Sequence, residues 1–155
     1  VKRGSPPLIQ MLPGQIYGPG GFFQLMYEWM KRGKYRVVGS GKNYIPRIHV
    51  DDCAEAYVQV LKKMPLGERF IIADDEPCTV REFADFMADC MVVQRPKSVP
   101  RFIARIVLGK TMYETVTMNC RVSNARAKNQ LNWKLKYPTY REGLPPTIKE
   151  LSMTS

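Results

Sequence analysis

The stretch "LIQMLPGQIYGPGGFFQLMYEWMKRG", residues 8–33, opens on an apolar run, passes a turn rich in glycine and proline, and ends in apolar residues at helical spacing. It predicts a strand over 8–12, a loop over 13–21, and a helix with its apolar stripe on Phe22, Leu25, Met26 and Trp29. Strand, glycine loop and helix are also the parts of a phosphate cradle. The dinucleotide form of that cradle needs a third glycine where helix meets strand. With Gly18 and Gly20 as the first two, Phe23 stands in its place, and a phenyl ring there holds the backbone off a pyrophosphate. The mononucleotide form fails too, because no Gly-Lys-Ser/Thr follows. Local pattern therefore reads the loop as a tight turn, with glycine supplying positive φ and proline stiffness.

Strand and helix alternate onward from this loop. "YRVVG" (35–39) and "IPRIHV" (45–50) read as extended. Asp51 or Asp52 is expected to cap a helix whose apolar side carries Cys53, Ala54, Tyr57, Val60 and Leu61 and which stops near Pro65 and Gly67. "RFIIAD" (69–74) has strand length. Thr79-Val80-Arg81-Glu82 has the form of a capping box, ahead of a stripe of Val80, Phe83, Ala84, Met87 and Cys90. A short helix over 100–109 should end at Gly109, "CRV" reads as extended, Ser123 should cap "NARAKNQLNW", and "LPPTIKEL" has room for a last turn or two. Continuous apolar strands between helices indicate an α/β architecture, its parallel strands covered on both faces.

The bulk properties narrow the function classes. The 155 residues suffice for one domain with a sizeable core, and 45% hydrophobic with 25% charged residues is ordinary globular composition. No apolar run approaches the roughly 18 residues of a membrane helix, so no membrane partner is expected. The basic start "VKRGSPPLIQ" precedes an apolar run too short for a signal peptide. The chain has no initiator Met and begins close to a buried-looking strand, which reads as a piece of something longer. Cys53, Cys78, Cys90 and Cys120 form no CxxC pair, pointing to reduced thiols and a cytoplasmic location. His49 is the sole histidine, so a zinc site lacks ligands and no metal is expected. The net charge of +10 is scattered, no basic run reaching five residues, which favours solvated faces over a nucleic-acid surface. Tyr27 and Lys31 form a Tyr-x-x-x-Lys pair one helical turn apart, a spacing in which lysine can lower the phenol pKa. Only 26 residues precede Tyr27, too few for a nucleotide-binding half, so the pair reads as surface helix.

Four segments, taken in order, resemble one family. "LPGQIYGPGG" is similar to the "RPG-x-x-YGPG" loop of the extended short-chain dehydrogenases/reductases, the NAD-dependent epimerase/dehydratase family, with Leu12 in place of the usual Arg. "VVGSGKNYIPRIHVDDCAEAY" resembles its "G-x-G-x-N … HVDD-x-A-x-A" segment, and "FIIADDEPCTVREF" its "YN-x-x-D-x-EP-x-T-x-x-E" stretch. "RVSNARAKNQLNWKLKYPTYREGL" resembles its "SNAKAK-x-x-LGW-x-P-x-YPSYREGL" tail. The resemblance covers nearly all residues from 8 to 144 and only the C-terminal half of the family's pattern.

It implies the C-terminal part of a Rossmann-like doubly wound α/β fold plus a small substrate-binding lobe. The 155 residues form a single substrate-binding portion, with strands 8–12 and 69–74 belonging to the nucleotide-binding sheet and the cofactor-binding half lying upstream. By the same resemblance, Pro13, Gly14, Ile16 and Tyr17 line the nicotinamide end of NAD or NADP, where glycine lets the backbone approach a flat ring. Gly18, Phe22, Phe23 and Arg47 lead into the substrate cleft, Asp51 and Asp52 serve a helix start, His49 is a satisfied buried histidine, and Trp133 and the "YPTY" rings anchor the tail. The family's pyrophosphate glycines, catalytic Ser/Thr and Tyr-x-x-x-Lys fall outside this sequence. No catalytic residue is therefore assigned, and the isolated chain is expected not to turn over substrate.

The reaction expected of the whole enzyme is that of an NAD(P)-dependent oxidoreductase, epimerase or dehydratase on a sugar nucleotide or another hydroxyl or carbonyl compound. The sugar-nucleotide option is weakened by Ile45, which stands where such members carry Arg, and by "ETVTMNC", which lacks their "R-x-GD"; Arg47 and Arg121 are the available substitutes. The open strand edges invite dimerisation or aggregation. The alternative is a non-catalytic, RNA-binding member of the same superfamily, which the +10 charge would suit. A further option is a non-catalytic scaffold or assembly subunit.

Overall fold

The computed structural model describes residues 8–154; the basic start read over residues 1–7 lies outside them. Twelve elements follow one another: β1 (Gln10–Pro13), β2 (Gln15–Tyr17), α1 (Gly21–Lys31), β3 (Arg36–Val38), β4 (Arg47–His49), α2 (Val50–Lys63), β5 (Arg69–Ile72), α3 (Val80–Met91), β6 (Lys97–Val99), α4 (Arg101–Thr117), α5 (Ala125–Leu131) and α6 (Tyr140–Thr154). The strands pair as β1 with β5, β2 with β4 and β3 with β6, all parallel. Parallel neighbours need a crossover, and the helices between partners supply it.

The opening stretch holds a strand that its turn-like composition conceals. β1 runs beside β5 as far as Pro13, opposite Ile72. The Gly14 amide still donates to the Ile72 carbonyl at 2.8 Å, and the next amide, on Gln15, donates to the Pro46 carbonyl at 2.7 Å. The chain thus exchanges one partner strand for another at Gly14. A Cβ on Gly14 would lie 2.7 Å from the Pro46 oxygen, so the exchange requires glycine.

Two apolar clusters hold the elements. Tyr17, Phe23, Met26, Met30, Phe83 and Leu144 belong to one, between α1, α3 and α6. Ile48, Ala56, Phe70, Ile72, Leu131 and Trp133 belong to the other, between α2, α5 and the β1–β5 pair. α1 is turned by one residue from its expected phase: Phe23, Met26, Tyr27 and Met30 are buried, while Phe22, Leu25 and Trp29 are exposed. Tyr27 is therefore a core residue, not a surface one. α2 buries Cys53, Ala56 and Val60 and leaves Tyr57 and Leu61 exposed. α3 keeps its stripe and its capping box. The strands are not covered on both faces, since Leu12 is 46% and Ile16 44% exposed.

Several boundaries moved. The N-cap of α2 is His49, whose Nδ1 accepts from the Asp51 amide at 3.1 Å. Asp51 and Asp52 lie in the first turn, where their charge meets the helix dipole. The Asp52 carboxylate faces the tail instead, accepting from the amides of Lys136 at 2.6 Å and Tyr137 at 2.9 Å. Gly109 breaks α4 without ending it: at φ 72°, ψ 170° it leaves helical geometry, and helix resumes to Thr117. Residues 120–122 form no strand. α6 runs for 15 residues with Pro145 and Pro146 inside it, where a turn or two was expected.

Candidate functional site

Where β1 gives way to β2, the Pro13–Gly14 backbone forms part of the wall of a cleft of about 730 Å³. Phe22 and Trp29 of α1 stand in the same wall, their rings edge to face with centroids 6.3 Å apart. α4 supplies another wall with Ile103, Val107, Met112 and Val116. Its apolar residues crowd more than one face, so packing on the core cannot enclose them all, and Ala104 alone is buried. That crowding in "RFIARIVLGKTMYETV" is the sequence signal that would have placed α4 here; Trp29 was hidden by the phase error in α1.

Of the residues named from the sequence, Pro13, Gly14, Phe22 and Arg47 line this cleft together. Ile16, Tyr17, Gly18 and Phe23 are not among its lining residues. Ile16 is half exposed on β2 and Gly18 is packed on Val50, while Tyr17 and Phe23 are core residues.

Beneath the cleft lies a buried polar group. Arg47 is 6% exposed, its guanidinium carbon 3.6 Å from the Phe83 ring centroid and its Nη1 donating to the Gln15 side-chain oxygen. Asp74 donates its backbone N–H to the Arg47 carbonyl at 2.7 Å. The Asp74 carboxyl and the Tyr17 hydroxyl close no well-formed hydrogen bond. Burial pushes Asp74 up to about 8, more than the neighbouring Tyr17 hydroxyl and Arg47 cation draw it back. Burial, with the Asp74 charge beside it, drives the Tyr17 phenol far above its ordinary value. At neutral pH both groups mostly hold their protons, and neither lines the cleft.

His49 is similarly committed. Thr147 Oγ1 donates to the Gly143 carbonyl at 2.8 Å and so accepts from His49 Nε2 at 3.0 Å, while Nδ1 accepts from the Asp51 amide. Both ring nitrogens are used in the neutral form, and burial holds the imidazole below its usual pKa. Lys31 Nζ lies 5.9 Å from the Tyr27 ring centroid, on a helix face turned from the cleft lining. Trp133 donates its indole N–H to the Asp52 carbonyl at 3.1 Å and anchors the tail, as the sequence implied.

No protein-family model matches the chain. It is 28% identical over 134 residues to a 3-diazoavenalumate denitrifying reductase of a Streptomyces species, covering 84% of this chain and 44% of that protein. It superposes on the human epimerase family protein SDR39U1, solved with NADPH, with a TM-score of 0.83 at 18% identity, over 91% of this chain and 48% of the human one. The UDP-glucose 4-epimerase of Thermotoga maritima, solved with UDP-glucose, gives a TM-score of 0.73 at 21% identity over 94% and 46%. The fold is that of the C-terminal half of an extended short-chain dehydrogenase/reductase. The chain spans about half the length of these relatives. In this half of the fold, β1 and β5 form a parallel pair, and the cleft opens beside the loop that follows β1. Among the described residues, no helix is long and apolar enough to cross a membrane.

Proposed function

We propose that this chain is the substrate-side half of an NAD(P)-dependent oxidoreductase, epimerase or dehydratase acting on a hydroxyl or carbonyl compound, and that it is inactive when separated from a nucleotide-binding half. The observation that carries this is the place of the cleft, directly beyond the end of β1 where the strand changes partner. Ligands in open α/β sheets collect at such a point. In support, β1 presents an exposed Leu12, and the two-stranded β1–β5 pair has open edges, as strands of a larger nucleotide-binding sheet would.

The residues fit one end of a nicotinamide cofactor and not its phosphates. Pro13 and Gly14 offer backbone in the cleft wall, and Ile16 an exposed apolar side chain beside them. Tyr17 backs that loop from the core. The cofactor, when bound, accepts or returns a hydride. The chain's own part is to shape and dry the site, with Phe22 and Arg47 in the substrate wall, Phe23 in the core and Gly18 in the loop before α1. The proton-transfer group comes from outside this chain, since none of Tyr17, Asp74 and His49 lines the cleft. The four free cysteines suit a reducing, cytoplasmic setting.

RNA binding, the alternative read from the +10 charge, is less well supported. Among the described residues, seven lysines and arginines are drawn into ion pairs with acidic side chains, Arg81–Asp85 and Arg95–Asp89 included. The deciding experiment joins the chain to a nucleotide-binding half and follows absorbance at 340 nm with NAD+ or NADP+ and a panel of alcohols. Turnover by the joined protein and none by the chain alone is expected; robust turnover by the chain alone would overturn the proposal.

A further inference from the structure

Resting on the function proposed above, we infer that the cleft takes a ring-bearing, largely apolar alcohol or carbonyl compound and does not take a nucleoside-diphosphate sugar.

The first argument is the wall. Seventeen of the cleft's lining residues carry hydrocarbon, aromatic or thioether side chains, among them Phe22, Trp29, Val38, Ile103, Val107 and Met112. A volume of about 730 Å³ falls within the range of small-molecule pockets and far exceeds one aromatic ring with a short side chain. The edge-to-face Phe22–Trp29 pair leaves both rings partly exposed, at 47% and 42%. An aromatic ligand would bury that area and add ring contacts, each worth about 0.5–1.5 kcal/mol beyond burial. A diphosphate placed against the same wall would surrender its hydration for hydrocarbon.

The second argument is where the cations go. A diphosphate is held by positive groups that present free donors in a fork. The buried guanidinium of the cleft, Arg47, has its central carbon 3.6 Å from the Phe83 ring centroid, one nitrogen on Gln15 and its Nε buried out of reach of solvent. Arg36 directs Nη1 at the carbonyls of Gly33 at 2.6 Å and Tyr35 at 2.8 Å. Lys34, the remaining cation of the wall, is exposed. Arg121 lies outside the cleft lining, with its guanidinium carbon 3.8 Å from the Tyr44 ring centroid. No pair of these groups forms a clamp, whereas one charged or oxygen-bearing end of an apolar ligand could reach Lys34.

Tryptophan emission tests this without any cofactor. Trp29 lines the cleft, and Trp133, the other tryptophan, is sealed in the second core and serves as a constant background. Cinnamyl alcohol, UDP-glucose and UDP are titrated into the 155-residue chain and into the same chain joined to a nucleotide-binding half. We expect a saturable emission change with cinnamyl alcohol and none with the two nucleotides over the same range. Trp29→Phe should remove the signal. Val107→Asp, at a side chain 75% exposed and thus tolerant of charge, should weaken binding at least tenfold while leaving the unfolding midpoint unchanged. Saturation by UDP-glucose at equal or lower concentration overturns the inference. So does the absence of cinnamyl alcohol binding in both proteins, or its loss on joining the halves, which would make the cleft a seat for the other half. The 340 nm assay fails or succeeds separately: lack of turnover with intact cinnamyl alcohol binding defeats the proposed function and leaves the ligand preference standing.

Discussion

Asp74 is the side chain on which pH acts most strongly. Its carboxyl, buried beside Tyr17 and Arg47, is pushed up to about 8 from an ordinary 3.8. Between those values the folded chain keeps a proton that the unfolded chain has released, so this group's contribution to stability is fully present below about 4 and is lost as pH rises towards about 8. Asp74→Asn, which cannot ionise, should melt above the parent at pH 9, with the gap closing by pH 5; thermal melts across that range check it. Asp52 acts through its hydrogen bonds. It is 1% exposed, and its carboxylate holds the amides of Lys136 and Tyr137. Asp52→Ala would strand both donors and should cost about 3 kcal/mol in denaturant unfolding. The HVDD resemblance marked both aspartates, but from pattern alone they read as helix caps. The tail they reach is more than eighty residues away, and only the folded chain shows it. Gly14 teaches the same lesson. Its need for glycine was read as access for a flat ring, while the coordinates give a nearer cause in the Pro46 carbonyl.

At the scale of elements, the long amphipathic pieces were legible and the short or doubly apolar ones were not. α3 has one apolar stripe and a capping box, and both stand as read. α1 carries apolar or aromatic residues at seven of its 11 positions, so two stripes about 100° apart compete, and tertiary packing chose Phe23 and Tyr27 over Phe22 and Trp29. β2 and β6, three residues each, are held by partners distant in sequence and give no period to detect. Gly109 was correctly seen as a helix breaker, but the cleft wall continues beyond it. Its φ and ψ lie in a region open only to glycine, so Gly109→Ala should destabilise by about 1–3 kcal/mol. Chemical denaturation of the variant checks this.

For the whole molecule, three separate parallel strand pairs and two cores match about half of a known fold, with β1 and β5 open at their edges among the described residues. Composition could not point to that fold, because apolar strand residues look the same whether covered or bare; the ordered series of motifs resembled it. Leu12, half exposed on β1, belongs to this open surface. Leu12→Lys should reduce self-association of the chain by sedimentation velocity, with an unfolding midpoint unchanged within error. The most direct test of the account is cofactor binding, read by NADPH fluorescence. The chain alone should show no saturable binding at up to millimolar cofactor, and the chain joined to a nucleotide-binding half should saturate at a far lower concentration. Saturable binding by the chain alone, or none by a folded joined protein, would contradict it.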